Sequence, residues 1–394
     1  MLKGLIIFGA GLVLAVSAGL TSLGAVAKSA APDVAVSLWP LNGFAAESIA
    51  SRLLKAAVAK NEGAFPEKVD PLVLEWARRA FIAEPATPLA VATLALNAPD
   101  KNGRLLMEKA FALSRREPIV TGWMIADSSE RNDTQGVLNY YDTTLRTNSS
   151  AAPVLIPVMV QALSNSESIE PFANLLMNDP PWAAQFWERL AASPEAILNG
   201  AILRERLYRK NENTKQYRDF NLLRSLVYSQ NFAVAEKLYA LLKNRTAEAA
   251  LIKNYSFDHE PEFPPLDWEL FSTGEYGAAI VDGSLRMSGI QNAGGTFAKQ
   301  IVRFPPSVVE LKVIASQPIP DDVKLMIGVT CAEPLAKVPE PIRVGITKQT
   351  TIQKISNQVT PCRYYWLDLT GRASENGDGF DVSIDLISIR AEQS

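Results

Sequence analysis

The sequence predicts a multidomain chain in three parts: an N-terminal transmembrane helix, an all-α helical superhelix and a C-terminal all-β jelly-roll sandwich. Three observations carry this. An uncharged apolar run opens the chain, a helical period with start and stop signals fills residues 40 to 252, and the period changes to 2 after residue 253.

Length and composition agree with such a chain. It has 394 residues, 47% of them hydrophobic and 21% charged, which suits two or three globular domains. A formal net charge of -3 supplies no clustered basic footprint, so nucleic acid is excluded as a partner.

After Lys3 no charge occurs until Lys28. As a helix, residues 4–27 would rise roughly 36 Å, enough for a hydrocarbon core of about 30 Å. Ala25-Val26-Ala27 is at the same time an A-x-A cleavage pattern, and Leu5 to Leu20 has the length of a signal peptide. Residues 1–28 are therefore a signal anchor or a signal peptide. The apolar run exceeds the usual cleaved core and favours the anchor, which puts Lys3 inside and all residues after Lys28 in the periplasm. The expected location is the inner membrane, held through residues 4–27, with periplasmic domains; the alternative is a secreted or periplasmic protein after cleavage. Gly11, Ala15 and Gly19 form a small-residue stripe, a pattern also common in export segments.

Residues 29–252 form the helical domain. Asp70-Pro71 and Thr87-Pro88 each pair an N-cap with a proline in the first turn, and Pro85 stops the helix between them. Further helices are expected over 45–60, 103–114, 118–128, 133–146, 153–163, 169–177, 182–192, 194–209, 217–229 and 232–243. Trp123, Gly136 and Tyr140 are spaced 13 and 4 apart, and Leu222, Ala235 and Tyr239 repeat that spacing 99 residues later. A small residue followed four later by a large one lets antiparallel helices pack closely, and the interval is about three times a 33–34-residue hairpin repeat. On these residues the segment resembles a degenerate tetratricopeptide (TPR)-like repeat, although most consensus Trp, Gly and Pro positions are missing. Such solenoids present surfaces that bind proteins.

Residues 253–270, including SFDHEPEFPPLDW, read as a Pro-rich linker, because Pro261, Pro264 and Pro265 cannot sit in a helix or a central strand. From 271 to 394 the alternation is that of half-buried strands: Val309 to Ala315, Val323 to Cys331, Ile342 to Ile346 and Phe380 to Leu386, with Asn376-Gly377 as a turn signal. Cys331 ends the apolar face of one strand and Cys362 opens another. An even cysteine count in a chain with an export segment makes their disulfide the expected state.

DPPWAAQF (179–186), the hairpin from Leu222 to Leu242, FPPLDWEL (263–270), CRYYWLDLTGRA (362–373) and GFDVSIDLISI (379–389) together resemble a bacterial envelope family. In it an N-terminal membrane segment precedes degenerate tetratricopeptide-like helices and a jelly roll similar to carbohydrate-binding modules. The resemblance implies a scaffold in exopolysaccharide production or export, with envelope or polysaccharide-export proteins as partners and polysaccharide as a further one. It names no catalytic residue.

No motif supplies catalysis, a metal site or a cofactor. His259 stands between Asp258 and Glu260, short of the three or four ligands that zinc needs, and no G-x-S-x-G elbow provides a nucleophile for it. Two carboxylates suffice for a glycosidase, and Asp267 with Glu269, or Asp381 with Asp385, offer pairs that read equally as solvated faces or caps. Glu375 to Asp381 is similar to a calcium loop but lacks its D-x-D-x-D spacing.

The tail VTPCRYYWLDLTGRA poses the remaining question. In a strand Tyr364, Trp366 and Asp368 share one face, while Tyr365, Leu367 and Leu369 share the other and belong to the core. An aromatic pair beside a carboxylate is a candidate ligand face for sugar. Packing against another element of the chain is the alternative, and the rarity of exposed Trp favours it. The sequence therefore reads as a non-enzymatic scaffold, with a polysaccharide-binding or polysaccharide-modifying protein as the other reading.

Overall fold

In a computed structural model of the chain, the described residues are 16, 18–62, 64–66, 68–211, 219–243, 251–335, 339–356, 362–375 and 378–391. A helical N-terminal half and a C-terminal β-sandwich are present, as the change of period implies. The transmembrane anchor is corrected: among the described residues no helix is long and apolar enough to cross a membrane. The described helical stretch 18–30 ends ahead of Pro32. Among the described residues no spanning helix supports an inner-membrane location through residues 4–27. Residues 1–15 and 17, with Gly11 and Ala15 of the small-residue stripe, lie outside the described residues, as does the Asn376-Gly377 turn.

The chain divides into two compact units between Leu155 and Ile156, within a single helix (Ala152–Ala162). The first unit contains α1 (Pro32–Leu38), α2 (Gly43–Lys60), α3 (Pro71–Ala83), α4 (Pro88–Ala95), α5 (Asp100–Leu113), α6 (Pro118–Glu130) and α7 (Thr134–Thr147), and the dividing helix is α8. Neighbours pack as α2 on α3, α4 on α5 and α6 on α7. Asp70 caps α3 as expected, its Oδ1 accepting from the Leu72 N–H at 2.7 Å. Thr87 behaves differently, because its hydroxyl donates to the Glu84 carbonyl. The orphan N–H of Leu89 at the start of α4 goes instead to Glu47 Oε1 on α2, at 2.7 Å. Burial pushes the Glu47 carboxyl above its ordinary range, and the two backbone N–H bonds at the start of α4 oppose the shift.

The repeat residues sit where these helices meet. Trp123 and Tyr140 pack against the cluster formed by Met107, Ala110, Val120 and Met124. Gly136 carries the close approach at the start of α7: a Cβ there would fall 3.0 Å from Ser128 Oγ of α6 and closer still to its own cap, Asp133. In the second unit Leu222, Ala235 and Tyr239 are buried.

That unit opens with α9 (Ile169–Leu176), α10 (Ala183–Ala191), α11 (Ile197–Lys210), α12 (Asp219–Tyr228) and α13 (Phe232–Leu242). The DPPWAAQF stretch supplies its aromatic core, Phe186 contacting Phe172, Trp182 and Trp187. Arg204 of α11 grips Asp219 of α12 through two hydrogen bonds of 2.7 and 2.8 Å, and both side chains are buried.

Among the described residues ten strands follow: β1 (Glu269–Leu270), β2 (Tyr276–Val281), β3 (Ser284–Gly289), β4 (Gly294–Arg303), β5 (Val308–Ala315), β6 (Val323–Cys331), β7 (Ile342–Ile346), β8 (Thr350–Ser356), β9 (Tyr364–Ala373) and β10 (Phe380–Ala391). They form two antiparallel five-stranded sheets, β1-β4-β9-β6-β7 and β2-β3-β10-β5-β8. Inward residues of both sheets, among them Phe297, Leu311, Leu367, Leu369 and Ile384, make one core. The segment 253–270 belongs to that core through Phe257 and Trp268. Cys331 and Cys362 form the expected disulfide, with Cα atoms 6.0 Å apart, tying the end of β6 to the entry of β9.

Candidate functional site

Strand β9 is the middle strand of the first sheet, so its outward residues lie at the centre of that sheet's outer face. The parity expected from the sequence holds there. Tyr365, Leu367 and Leu369 are buried inward, and Tyr364, Trp366 and Asp368 take the outer face.

The hairpin of α12 and α13 lies on the Tyr364–Trp366 end of this face. Tyr228, the last residue of α12, stacks on Trp366 with ring centroids 5.7 Å apart, and Phe232, the first of α13, stacks on Tyr364 at 5.0 Å. Polar contacts frame the rings. The Tyr364 hydroxyl donates to Glu236 Oε2 at 3.0 Å, and the Tyr228 hydroxyl donates to Glu269 Oε2 at 2.7 Å. Arg224 also reaches Glu269, at 2.9 Å, and Arg303 of β4 stands 3.6 Å from Glu236. Lys299 places its ammonium 4.0 Å from the centre of the Trp366 ring and 3.9 Å from Asp368.

These surroundings shift three ionisations. Burial, and then the hydrogen bond to the Glu269 carboxylate, push the Tyr228 phenol up to about 12. Burial and the charge of Glu236 push Tyr364 up to about 12. Burial raises the Asp368 carboxyl above its ordinary range, and the Lys299 charge opposes it. For the two phenols the folded value exceeds the ordinary 10. Their contribution to stability is therefore whole below about pH 10 and is lost as pH rises towards 12. A tyrosinate absorbance titration of the native chain is expected to show two phenols ionising near pH 12, one disappearing in Tyr228→Phe and the other in Tyr364→Phe. Ordinary titration of both near pH 10 would contradict this arrangement.

The candidate carboxylate pairs are committed to structural bonds. Asp267 accepts from the Tyr239 hydroxyl at 2.7 Å and from the backbone N–H of Glu262 and Phe263, while Glu269 holds Arg224 and Tyr228. Asp381 pairs with Arg286, and Asp385 accepts from the hydroxyls of Ser284 and Ser316. Cys331, Glu333 and Cys362 come together, but both sulfurs are consumed in the disulfide.

Of the residues on this face, Tyr364, Trp366 and Asp368 were legible in the sequence. Arg224, Tyr228, Phe232, Glu236, Glu269 and Lys299 were not singled out for it. One signal was available: Tyr228 and Phe232 bracket a short helix-to-helix turn, so both aromatics project from the same end of the hairpin.

No protein-family model matches the sequence, and no curated protein matches it. Among solved structures the chain is similar to the carbohydrate-binding module TmCBM61 in complex with β-1,4-galactotriose. The identity is 16% and the TM-score 0.25, covering 37% of this chain and 100% of that one. It is also similar to the CBM22-1 xylan-binding domain from Paenibacillus barcinonensis, at 15% identity and a TM-score of 0.25 over 38% of this chain and 99% of that one. A third is in the structure of accessory secretory proteins 1, 2 and 3 of Streptococcus pneumoniae, at 13% identity and a TM-score of 0.24, over 33% and 99% of the two chains. The likeness covers about a third of the chain and says nothing of what this chain binds.

Proposed function

We propose that this chain is a non-enzymatic assembly protein of an oxidising compartment outside the cytoplasm. It would support exopolysaccharide production or export through protein contacts of its helices, with the sandwich as the attachment domain of its own helical hairpin. The observation that carries this reading is the pair of ring stacks, Tyr228 on Trp366 and Phe232 on Tyr364: the aromatics that could have met a sugar meet the chain itself. The Cys331–Cys362 disulfide supports the compartment, since such bonds persist where thiols are not kept reduced. Helices of the first unit present large apolar side chains to solvent, including Leu72, Phe81 and Ile82 on α3 and Leu105 and Leu113 on α5, as protein-binding surfaces do. The exopolysaccharide role comes from the family resemblance of the sequence.

Trp366→Ala in the full chain tests the reading. Loss of the stacked half-buried ring is expected to cost about 2 kcal/mol, near half of a fully buried aromatic truncation, and to leave retention on the host's own polysaccharide unchanged. A variant that melts like wild type and loses that retention would overturn it in favour of a binding module. Release of reducing ends from that polysaccharide by the purified chain would overturn its non-enzymatic part.

A further inference from the structure

Among the described residues the helical hairpin meets the first sheet's outer face at Tyr364 and Trp366 of β9, Arg303 of β4 and Glu269 of β1, and the strand register determines what the rest of that face carries. Directly paired residues point to the same side. One cross-strand row therefore runs Glu269, Lys299, Asp368, Gly328, Arg343 over β1, β4, β9, β6 and β7. The next row is Thr296, Thr370, Met326 and Gly345, and the one after it sets Arg372 beside Lys324. Successive same-face rows are about 7 Å apart, so the first and third stand about 13 Å apart.

Cations thus hold the margins and small residues form the floor. Arg343 ends the first row on β7, Lys299 stands in it between Glu269 and Asp368, and Arg372 and Lys324 make the third. On the floor, a Cβ built on Gly328 would meet nothing nearer than 3.9 Å and one on Gly345 nothing nearer than 4.0 Å, so the space above the backbone is open. The remaining floor is threonine hydroxyl and one exposed apolar side chain, Met326. Four cations share these rows with two carboxylates: Asp368, which has Lys299 at 3.9 Å, and Glu269, which is taken by Arg224 and Tyr228. Among the described residues Lys324 and Arg343 make no ion pair, and Arg372 donates to the neutral amide of Asn292 at 2.9 Å. Asp321 and Asp322, in the turn ahead of β6, leave Lys324 unpaired.

We propose that this bare end of the first sheet binds an anionic polysaccharide, one whose sugars carry carboxylates as uronic acids do. A polyanion can engage the two charged margins together, and its hydroxyls suit a floor of threonine and backbone. A folded protein partner fits less well, because the centre of a protein interface is apolar and this floor offers one methionine. The assignment goes beyond the scaffold reading and does not depend on it, since Lys324, Arg343 and Arg372 take no part in the hairpin contacts described above.

Calorimetric titration of the full chain with polygalacturonate tests it, with neutral β-1,4-galactan and polyglutamate as comparisons. Polygalacturonate is expected to bind at low ionic strength, to weaken in about 0.5 M salt, and to bind at least about tenfold more weakly to the double variant Lys324→Glu, Arg343→Glu. Both positions are exposed, so the variant should melt like wild type. If charge reversal does lower the melting temperature, Lys324→Gln with Arg343→Gln is read by the same titration and is expected to weaken binding in the same direction. Absence of polygalacturonate binding, or binding that neither variant weakens, overturns the proposal. Equal or tighter binding of polyglutamate overturns it in favour of an acidic polypeptide, and equal binding of galactan removes charge as the determinant. None of these outcomes alters the result expected for Trp366→Ala, so the two readings fail separately.

Discussion

Trp268→Ala is expected to lower the unfolding free energy of the full chain by about 3–5 kcal/mol, the cost of truncating a fully buried aromatic. The indole is 0% exposed, lies 5.8 Å from the Phe257 ring and donates its Nε1–H to the Asn254 carbonyl at 3.2 Å. All three residues come from the stretch 253–270, so the change tests whether that stretch is connecting chain or part of the sandwich. Trp268→Phe fills most of the volume but leaves the Asn254 carbonyl without its donor, and should cost less than the alanine. Chemical denaturation followed by near-ultraviolet circular dichroism is the measurement. A loss below about 1 kcal/mol for alanine would place the stretch outside the core. A chain beginning at Phe271 should fail to fold, since it removes β1, Trp268 and Phe257 together.

Arg204→Met should be similarly severe, at about 3–5 kcal/mol, because it leaves the Asp219 carboxylate buried without its guanidinium. The two side chains are 3% and 2% exposed and share two short hydrogen bonds between α11 and α12. Substituting both, Arg204→Met with Asp219→Leu, is expected to recover most of the loss, since no charge then remains in the apolar interior. A double variant no more stable than Arg204→Met would mean that the pair does more than neutralise itself. The consequence reaches the candidate site, because α12 delivers Tyr228 to Trp366.

Several features of this protein were written in short stretches of its sequence. Asp70-Pro71 signals the start of α3 because the cap and the Leu72 N–H that donates to it are two residues apart. The face assignments of β9 follow from alternation alone, which is a property of any extended chain. The disulfide was accessible from an even cysteine count, since the sequence holds only two cysteines. The apolar run at the N-terminus was legible as composition, but composition sets only what a helix could cross; among the described residues no helix is long and apolar enough to do so.

Other features depend on partners far apart in the chain, and these only the tertiary structure decided. Glu47 caps α4 from 42 residues away, displacing the local Thr87 from that role. Tyr364 and Trp366 were aromatic and outward by parity, yet whether they met solvent, sugar or helix turned on where α12 and α13 came to rest. The cation rows needed the register of four strands, because Lys299, Arg343, Lys324 and Arg372 share no local pattern. The physical reason is the same in each case. Dihedral preference and side-chain alternation act over a few residues, so the sequence states them directly. Which faces meet depends on burying apolar area across separations of tens of residues, where many alternatives satisfy the local rules equally and only the packed whole selects one.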